Sequence, residues 1–188
     1  MAESSTLTIN DLDFDFRNTS AKIVILENLK PLKIGSITIG PLKEGKEVET
    51  KNWIASELIK AGYARYSDEY SMDGISLNKI HWRETRLQTG RRISSLPEYF
   101  YPRLRRYLHS LKEKSVSDAS FAVEYDRSVR LAHDIVNCRL KKVVSLAAAP
   151  LQTENILRDL AREERILYND LHTKISKWNT DIFKVWGF

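Results

Sequence analysis

The 188-residue sequence predicts an α+β fold: a small N-terminal β-rich domain with one helix, followed by a C-terminal α-helical bundle with two long antiparallel helices. Three observations lead there. Short β-branched runs bounded by Gly and Pro fill the first third. A helical period of apolar residues takes over after residue 75. The charge also changes sign, from 9 Lys/Arg against 12 Asp/Glu in residues 1–75 (net −3) to 21 against 13 in residues 76–188 (net +8). Two units with different surfaces follow from that asymmetry. The expected boundaries are an N-terminal arm at 1–20, the β-rich domain at 21–68, a linker at 69–75, the helical domain at 76–180 and an aromatic tail at 181–188.

In the arm, Leu12, Phe14 and Phe16 alternate with polar residues, which suits an amphipathic edge strand or a flexible arm. Asp11-Leu12-Asp13-Phe14-Asp15 starts like a calcium loop, but Phe16 stands where glycine is required and Lys22 where glutamate is required. Lys22 to Leu26 reads as a strand, and Ile34 to Ile39 as a second one interrupted by Gly35-Ser36. Gly40-Pro41 and Glu44-Gly45 punctuate as turns, and Val48 belongs to a third short strand. Thr50 is placed to cap a helix with Ile54, Leu58 and Ile59 on one face, stopping at Gly62.

Beyond the linker, Leu77, Ile80, Glu84 and Leu87 share a helical stripe that ends at Gly90. Ser95 and Glu98 form a capping-box pattern around Pro97 and open a helix with Phe100, Leu104, Tyr107, Leu108 and Leu111 inward. Pro102 should kink or restart it. Two long helices follow at 118–147 and 154–178, joined through Ala148-Ala149-Pro150-Leu151, the second capped by Thr153. Its apolar face holds Leu157, Leu160, Leu167, Leu171, Ile175 and Trp178.

On the helix 118–147, Phe121, Ala132, Ile135, Val143 and Leu146 cluster, whereas Val129, Leu131, Val136, Cys138, Leu140 and Val144 spread over much of the circumference. A helix apolar on several sides is covered on several sides. Three modest helices do not supply that cover, which implies a partner subunit on Val129, Val136, Leu140 and Val144. Arg139 falls at the centre of the apolar face, and Glu164 at the centre of the facing stripe. A buried charge needs a partner, so an interhelical Arg139–Glu164 ion pair is expected. Reading Glu164 as a catalytic acid would need a second reactive group that the sequence does not supply.

No chemistry-bearing pattern appears elsewhere. The histidines His81, His109, His133 and His172 lack metal-ligand spacing, and only seven glycines occur, with no phosphate-cradling motif. Cys138, the sole cysteine, excludes an internal disulfide and a cysteine-ligated cluster. No enzyme activity, metal or cofactor is therefore expected. Residues 1–16 lack a signal-peptide core, and Val143 to Thr153 is too short to span a bilayer, so a soluble protein of the cytoplasm or nucleoid (the nucleus in a eukaryote) is expected, with no membrane contact. The basic run Lys79, Arg83, Arg86, Arg91, Arg92, Arg103, Arg105 and Arg106, interleaved with His81, Trp82 and Tyr107, would suit a phosphate backbone or an acidic partner. Sequence-independent DNA binding through Lys79–Arg106 is the alternative function.

Four passages in order resemble the GINS replication-factor family, across roughly residues 22–178. Ile39-Gly40-Pro41-Leu42-Lys43-Glu44-Gly45 resembles the Gly-Pro-hydrophobic-x-x-Gly passage of its small B domain. Leu96-Pro97-Glu98-Tyr99-Phe100-Tyr101 resembles Leu-Pro-x-Asp-Phe-Tyr, with Tyr99 in place of the acid. Asp134, Arg139, Lys142, Val143 and Ala147 fit the family's Arg-x-x-Lys-Ile…Ala helix, and Glu163-Glu164…Tyr168 with Trp178 fits the helix after it. The resemblance is to the archaeal subunit class whose B domain precedes the helical A domain. It implies a non-catalytic subunit that assembles with a sister subunit of opposite domain order into a heterotetramer. That complex scaffolds the MCM replicative helicase with a Cdc45/RecJ-like protein, and primase is a further candidate partner.

Overall fold

The computed structural model describes residues 7–86, 93–149 and 157–184. It divides into two compact units, one of Asn10–Met72 and one from Asp73 onward with which the described residues before Asn10 group.

The first unit opens with helix α1 (Ile9–Asn18). Strand β1 (Ser20–Ile25) follows, then β2 (Leu32–Ile34), β3 (Ile37–Ile39), β4 (Glu47–Lys51), helix α2 (Asn52–Lys60) and β5 (Ala64–Tyr66). β1 is the centre of an antiparallel sheet in the order β4-β1-β5, while β2 and β3 form a separate hairpin around Gly35-Ser36. Alternation along β1 buries Ala21, Ile23 and Ile25 against Ile54, Ala55 and Leu58 of α2, with Leu42 and Ala64 completing the core.

The segment expected to be an edge strand or a flexible arm is the helix α1. Leu12 and Phe16 are four residues apart and buried, whereas Phe14 is 69% exposed. The helical period therefore decides over the alternation that the same residues also display. Thr50 does not cap α2, because it is committed to the β4 ladder opposite Ala21. Lys51 holds the cap position and makes no side-chain bond there. β5 has only three residues, Ala-Arg-Tyr, and no recognisable strand pattern in the sequence. Nor is 69–75 a bare connector. Tyr70 stacks against Tyr66 and accepts a 2.7 Å hydrogen bond from the Asn52 side chain, while the Asp73 carboxylate accepts the Ser76 N–H at 2.7 Å at the start of the next helix.

The second unit contains, among the described residues, helices α3 (Gly74–Arg86), α4 (Phe100–Ser115), α5 (Ala119–Ala148) and α6 (Arg162–Lys184). α5 is about 45 Å long at ~1.5 Å per residue, and α3, α4 and α6 all pack on it. Asp118 caps α5 by accepting the Ser120 N–H at 2.8 Å. The capping-box expectation at Ser95–Glu98 fails: α4 begins at Phe100, preceded by Tyr99 at φ 53°, with no side-chain cap. Pro102 then sits in the first turn, where its missing N–H leaves no helical bond unmade. The expected start of the last helix at 154 lies outside the described residues; Leu157 and Arg158 are helical, the helix is interrupted over 159–161, and α6 runs from Arg162 to Lys184, so residues 181–184, expected as tail, are helical. Leu87, Gly90, Arg91, Arg92, Pro150, Leu151, Thr153 and Val185–Phe188 lie outside the described residues.

Gly40 adopts φ +100°, and a Cβ there would approach the Leu42 backbone nitrogen to 2.9 Å; Gly35, at φ +60°, has nothing within 4 Å of such a Cβ. Both pay the strain of positive φ on gaining a side chain, but only Gly40 adds a backbone clash. Gly40→Ala is expected to destabilise the first unit by about 3 kcal/mol and Gly35→Ala by about 1 kcal/mol. Urea unfolding followed through Trp53 fluorescence measures the difference.

Candidate functional site

The chemistry of the second unit is concentrated in a buried polar network at the junction of α3, α4, α5 and α6. Its hub is Arg139 on α5, which is fully buried. Its Nε donates to Glu164 Oε1, and Nη2 donates to Glu164 Oε2 at 2.7 Å, making a bidentate pair. Nη1 donates to Glu84 Oε1 at 2.7 Å and to the Ser94 carbonyl at 2.8 Å, and Nη2 also reaches the Asp159 carbonyl at 3.4 Å. All five guanidinium N–H donors are thereby used, the most this side chain offers.

The two acids are completed from other elements. Lys142, one turn along α5, donates to Glu84 Oε2 at 2.7 Å and to the Glu84 carbonyl at 3.1 Å. The Ser94 hydroxyl donates to Glu84 Oε1. Glu164 takes the Tyr101 hydroxyl at 2.5 Å and the Ala161 N–H at 2.9 Å. Two carboxylates thus balance one guanidinium and one ammonium, which buried charge requires if it is to persist.

The electrostatics follow from these contacts. Burial pushes the Glu84 carboxyl up, but the hydrogen bonds from Lys142 and Ser94 and the charges of Arg139 and Lys142 outweigh it, leaving Glu84 below its ordinary value. Burial alone would weaken the Arg139 cation, yet the hydrogen bond and charge of Glu164, with Glu84 behind it, raise it above the ordinary value. Burial, then the neighbouring Glu164 carboxylate, holds the Tyr101 phenol protonated well above its usual range. The arrangement fixes helices to one another.

The residues singled out in the sequence fall into three sets. Arg139 and Glu164 meet, and Lys142 and Tyr101 join them. In the sequence Glu84 is visible only as a member of an apolar stripe; its position in line with Leu77 and Ile80 is the same signal that Arg139 gives. Leu96 is half-buried, Pro97 offers its carbonyl to the Phe100 N–H at 3.1 Å, and Phe100 is buried. Tyr168 is buried with Val143, Leu146, Ala147 and Leu160. In the first unit, Gly40, Pro41 and Gly45 shape the turn that delivers Leu42 to its core; the Gly45 N–H donates to the Ile25 carbonyl at 2.9 Å.

The third set lies on the surface. Val136, Leu140 and Val144 are 39%, 44% and 42% exposed, and Val129 is half-buried. At ~100° per residue these four occupy about 80° of arc beside the buried face of α5. The basic run does not form one helix face. Lys79, Arg83 and Arg86 are exposed on α3, Arg103, Arg105 and Arg106 belong to α4, and Arg91 and Arg92 lie outside the described residues.

Removing one member of the network leaves charge unbalanced, whereas removing one of each sign leaves Glu84 and Lys142 matched. Arg139→Ala is expected to cost about 3–5 kcal/mol and Arg139→Met/Glu164→Leu much less, as read from urea midpoints. Because the folded pKa of Glu84 is depressed, its contribution is complete above its unfolded pKa, about 4.5, and is lost as pH falls through the folded value. Glu84→Gln should therefore flatten the decline of stability below pH ~4.5, and an unchanged slope would contradict the assignment.

No described helix is long and apolar enough to cross a membrane. Comparison with curated proteins returns no match. Comparison with family models returns Sld5, the GINS complex protein helical bundle domain, over residues 72–183. That match takes in the described helices α3, α4 and α5, α6 up to residue 183 and the whole Arg139 network, and it spans more than half of the 188 residues. The chain belongs to the GINS family, whose members are replication factors of the GINS complex.

Proposed function

We propose that this chain is a non-catalytic GINS subunit of the class in which a small β-rich B domain, here residues 21–68, precedes a helical A domain, residues 76–180. It assembles with a sister subunit of opposite domain order into a heterotetramer. The tetramer scaffolds the MCM helicase together with a Cdc45/RecJ-like protein, with primase as a further partner.

The observation that carries the reading is the apolar surface left on the two long helices. Val136, Leu140 and Val144 on α5 are partly exposed although they stand beside the buried Ile135, Arg139 and Val143. On α6, Leu171 and Ile175 are partly covered, but the same stripe continues through Trp178 and Ile182, which are 62% and 44% exposed. Leu167, on the same side, is 37% exposed. An isolated exposed Leu needs no explanation, but aligned apolar stripes on two neighbouring helices mark a protein contact.

Co-expression with candidate sister subunits, followed by native mass measurement, tests the proposal. The wild-type chain should be isolated as a hetero-oligomer. Val136→Glu/Leu140→Glu should abolish co-purification while changing the thermal unfolding of the separate chain by only about ±0.5 kcal/mol per site. A chain that stays monomeric with every candidate, or a double variant that assembles normally, overturns the reading.

A further inference from the structure

We infer that the outward face of α3 is a contact surface for single-stranded nucleic acid, with Trp82 as the stacking platform and Lys79, Arg83 and Arg86 as the phosphate contacts. This surface is separate from the α5–α6 stripe and does not depend on the subunit reading.

At ~100° per residue, Ile75, Lys79, Trp82 and Arg86 lie within about 60° of arc, with Arg83 at their edge. The buried residues Leu77, Ile80 and Glu84 take the opposite side of the helix. Ile75 is 66% exposed and Trp82 57%. The Arg86 guanidinium sits 4.0 Å from the centroid of the Trp82 ring, so a cation orients the indole at the surface. From α5, Arg127 reaches Asn78 at 3.5 Å and adds a fourth positive charge on one flank. Of the acids that α5 brings to that flank, Asp134 is engaged by His81 at 3.5 Å and Glu124 accepts the Tyr107 hydroxyl at 2.9 Å.

The decisive feature is where the only acid of α3 goes. Glu84 is turned inward and consumed by Lys142, Arg139 and Ser94. Within the helix the outer face is left with cations and an exposed aromatic ring; the carboxylate nearest it, Asp73 ahead of the helix, accepts the Ser76 N–H at 2.7 Å and lies near Lys79. A merely solvated helix face ordinarily mixes both signs of charge and does not display a tryptophan. Phosphates answer the cations, and an unstacked base answers the indole, which favours a single strand over a duplex whose bases are already stacked. An acidic protein segment would satisfy the cations but leave the ring without a matching face.

Anisotropy of a fluorescein-labelled oligothymidylate of about 20 nucleotides, titrated with the full chain, tests the assignment alongside intrinsic tryptophan fluorescence. The expected result is quenching on binding that disappears in Trp82→Phe, and about tenfold weaker binding by Trp82→Ala. Lys79→Ala/Arg83→Ala/Arg86→Ala should lower the slope of log affinity against log salt by about 2, at roughly 0.7 per phosphate contact. Lys174→Ala/Lys177→Ala on α6 should leave binding intact. All these positions are exposed, so unchanged circular-dichroism melting certifies the variants as folded. The inference is overturned if the Trp82 and triple variants bind as the wild type does. It is also overturned if a blunt duplex of the same length binds as tightly, or if a polyglutamate peptide binds the same residues more tightly than the oligonucleotide.

Discussion

The guanidinium of Arg139 is the point on which the helical unit turns. It lies at the bottom of the core, and its five N–H groups reach α3, the segment after α3, the stretch before α6, and α6 itself. An ion of this size in an apolar core is tolerated only if every donor is met and the opposite charge is present in equal measure. Both conditions hold because Lys142 shares Glu84 with Arg139 while Glu164 receives Arg139, Tyr101 and the Ala161 N–H together. Apolar packing sets how strongly the helices adhere, but it is permissive about rotation and slide. A bidentate pair is not: an axial shift of one turn, about 5.4 Å, would break both bonds of Arg139 to Glu164 and strand two charges.

The start of α6 shows that constraint overriding local preference. Leu157 and Arg158 are helical and continue the apolar period that the sequence predicts, yet the helix is interrupted over 159–161 and resumes only at Arg162. The Asp159 carbonyl is turned to Arg139 and the Ala161 N–H to the Glu164 carboxylate. Both backbone groups satisfy the buried network, and Glu164 caps its own helix in doing so. The same demand explains the charge of α3, whose single carboxylate is drawn inward and whose solvent side is left basic.

Much of this was legible beforehand, and the limits are physical. Arg139 and Glu164 stood out because a charge centred on an apolar stripe is intolerable without a mate. Glu84 gave the same signal, but its helix is short and the stripe around it brief, so the sequence did not indicate which charge it would meet. Lys142 and Tyr101 were identifiable only through the motifs that resemble the family. The hydroxyl and carbonyl of Ser94 carry no sequence signature at all, since main-chain acceptors are available anywhere. In the first unit, Leu12-Asp13-Phe14-Asp15-Phe16 fits both a period of two and a spacing of four. Only the presence of a core able to bury Leu12 and Phe16 and leave Phe14 outside selects the helix. β5 has no signature in the sequence because three residues paired to β1 owe their conformation to the neighbouring strand rather than to themselves.

The network also bears on what the outer surfaces can do. A docking face made of Val136, Leu140 and Val144 is useful only if those side chains are held at a fixed angle to α6, because a partner reads both helices at once. Leu140 follows Arg139 directly, so any rotation of α5 that moved Leu140 would withdraw the guanidinium from Glu84 and Glu164. The angular position of the exposed stripe is therefore set by the most directional contact in the core, one residue away. On α3 the relation is the same: Arg83 precedes Glu84, and the carboxylate that anchors the inner side determines which way the basic side faces. In both helices the polar interior sets the orientation of the surface beyond it.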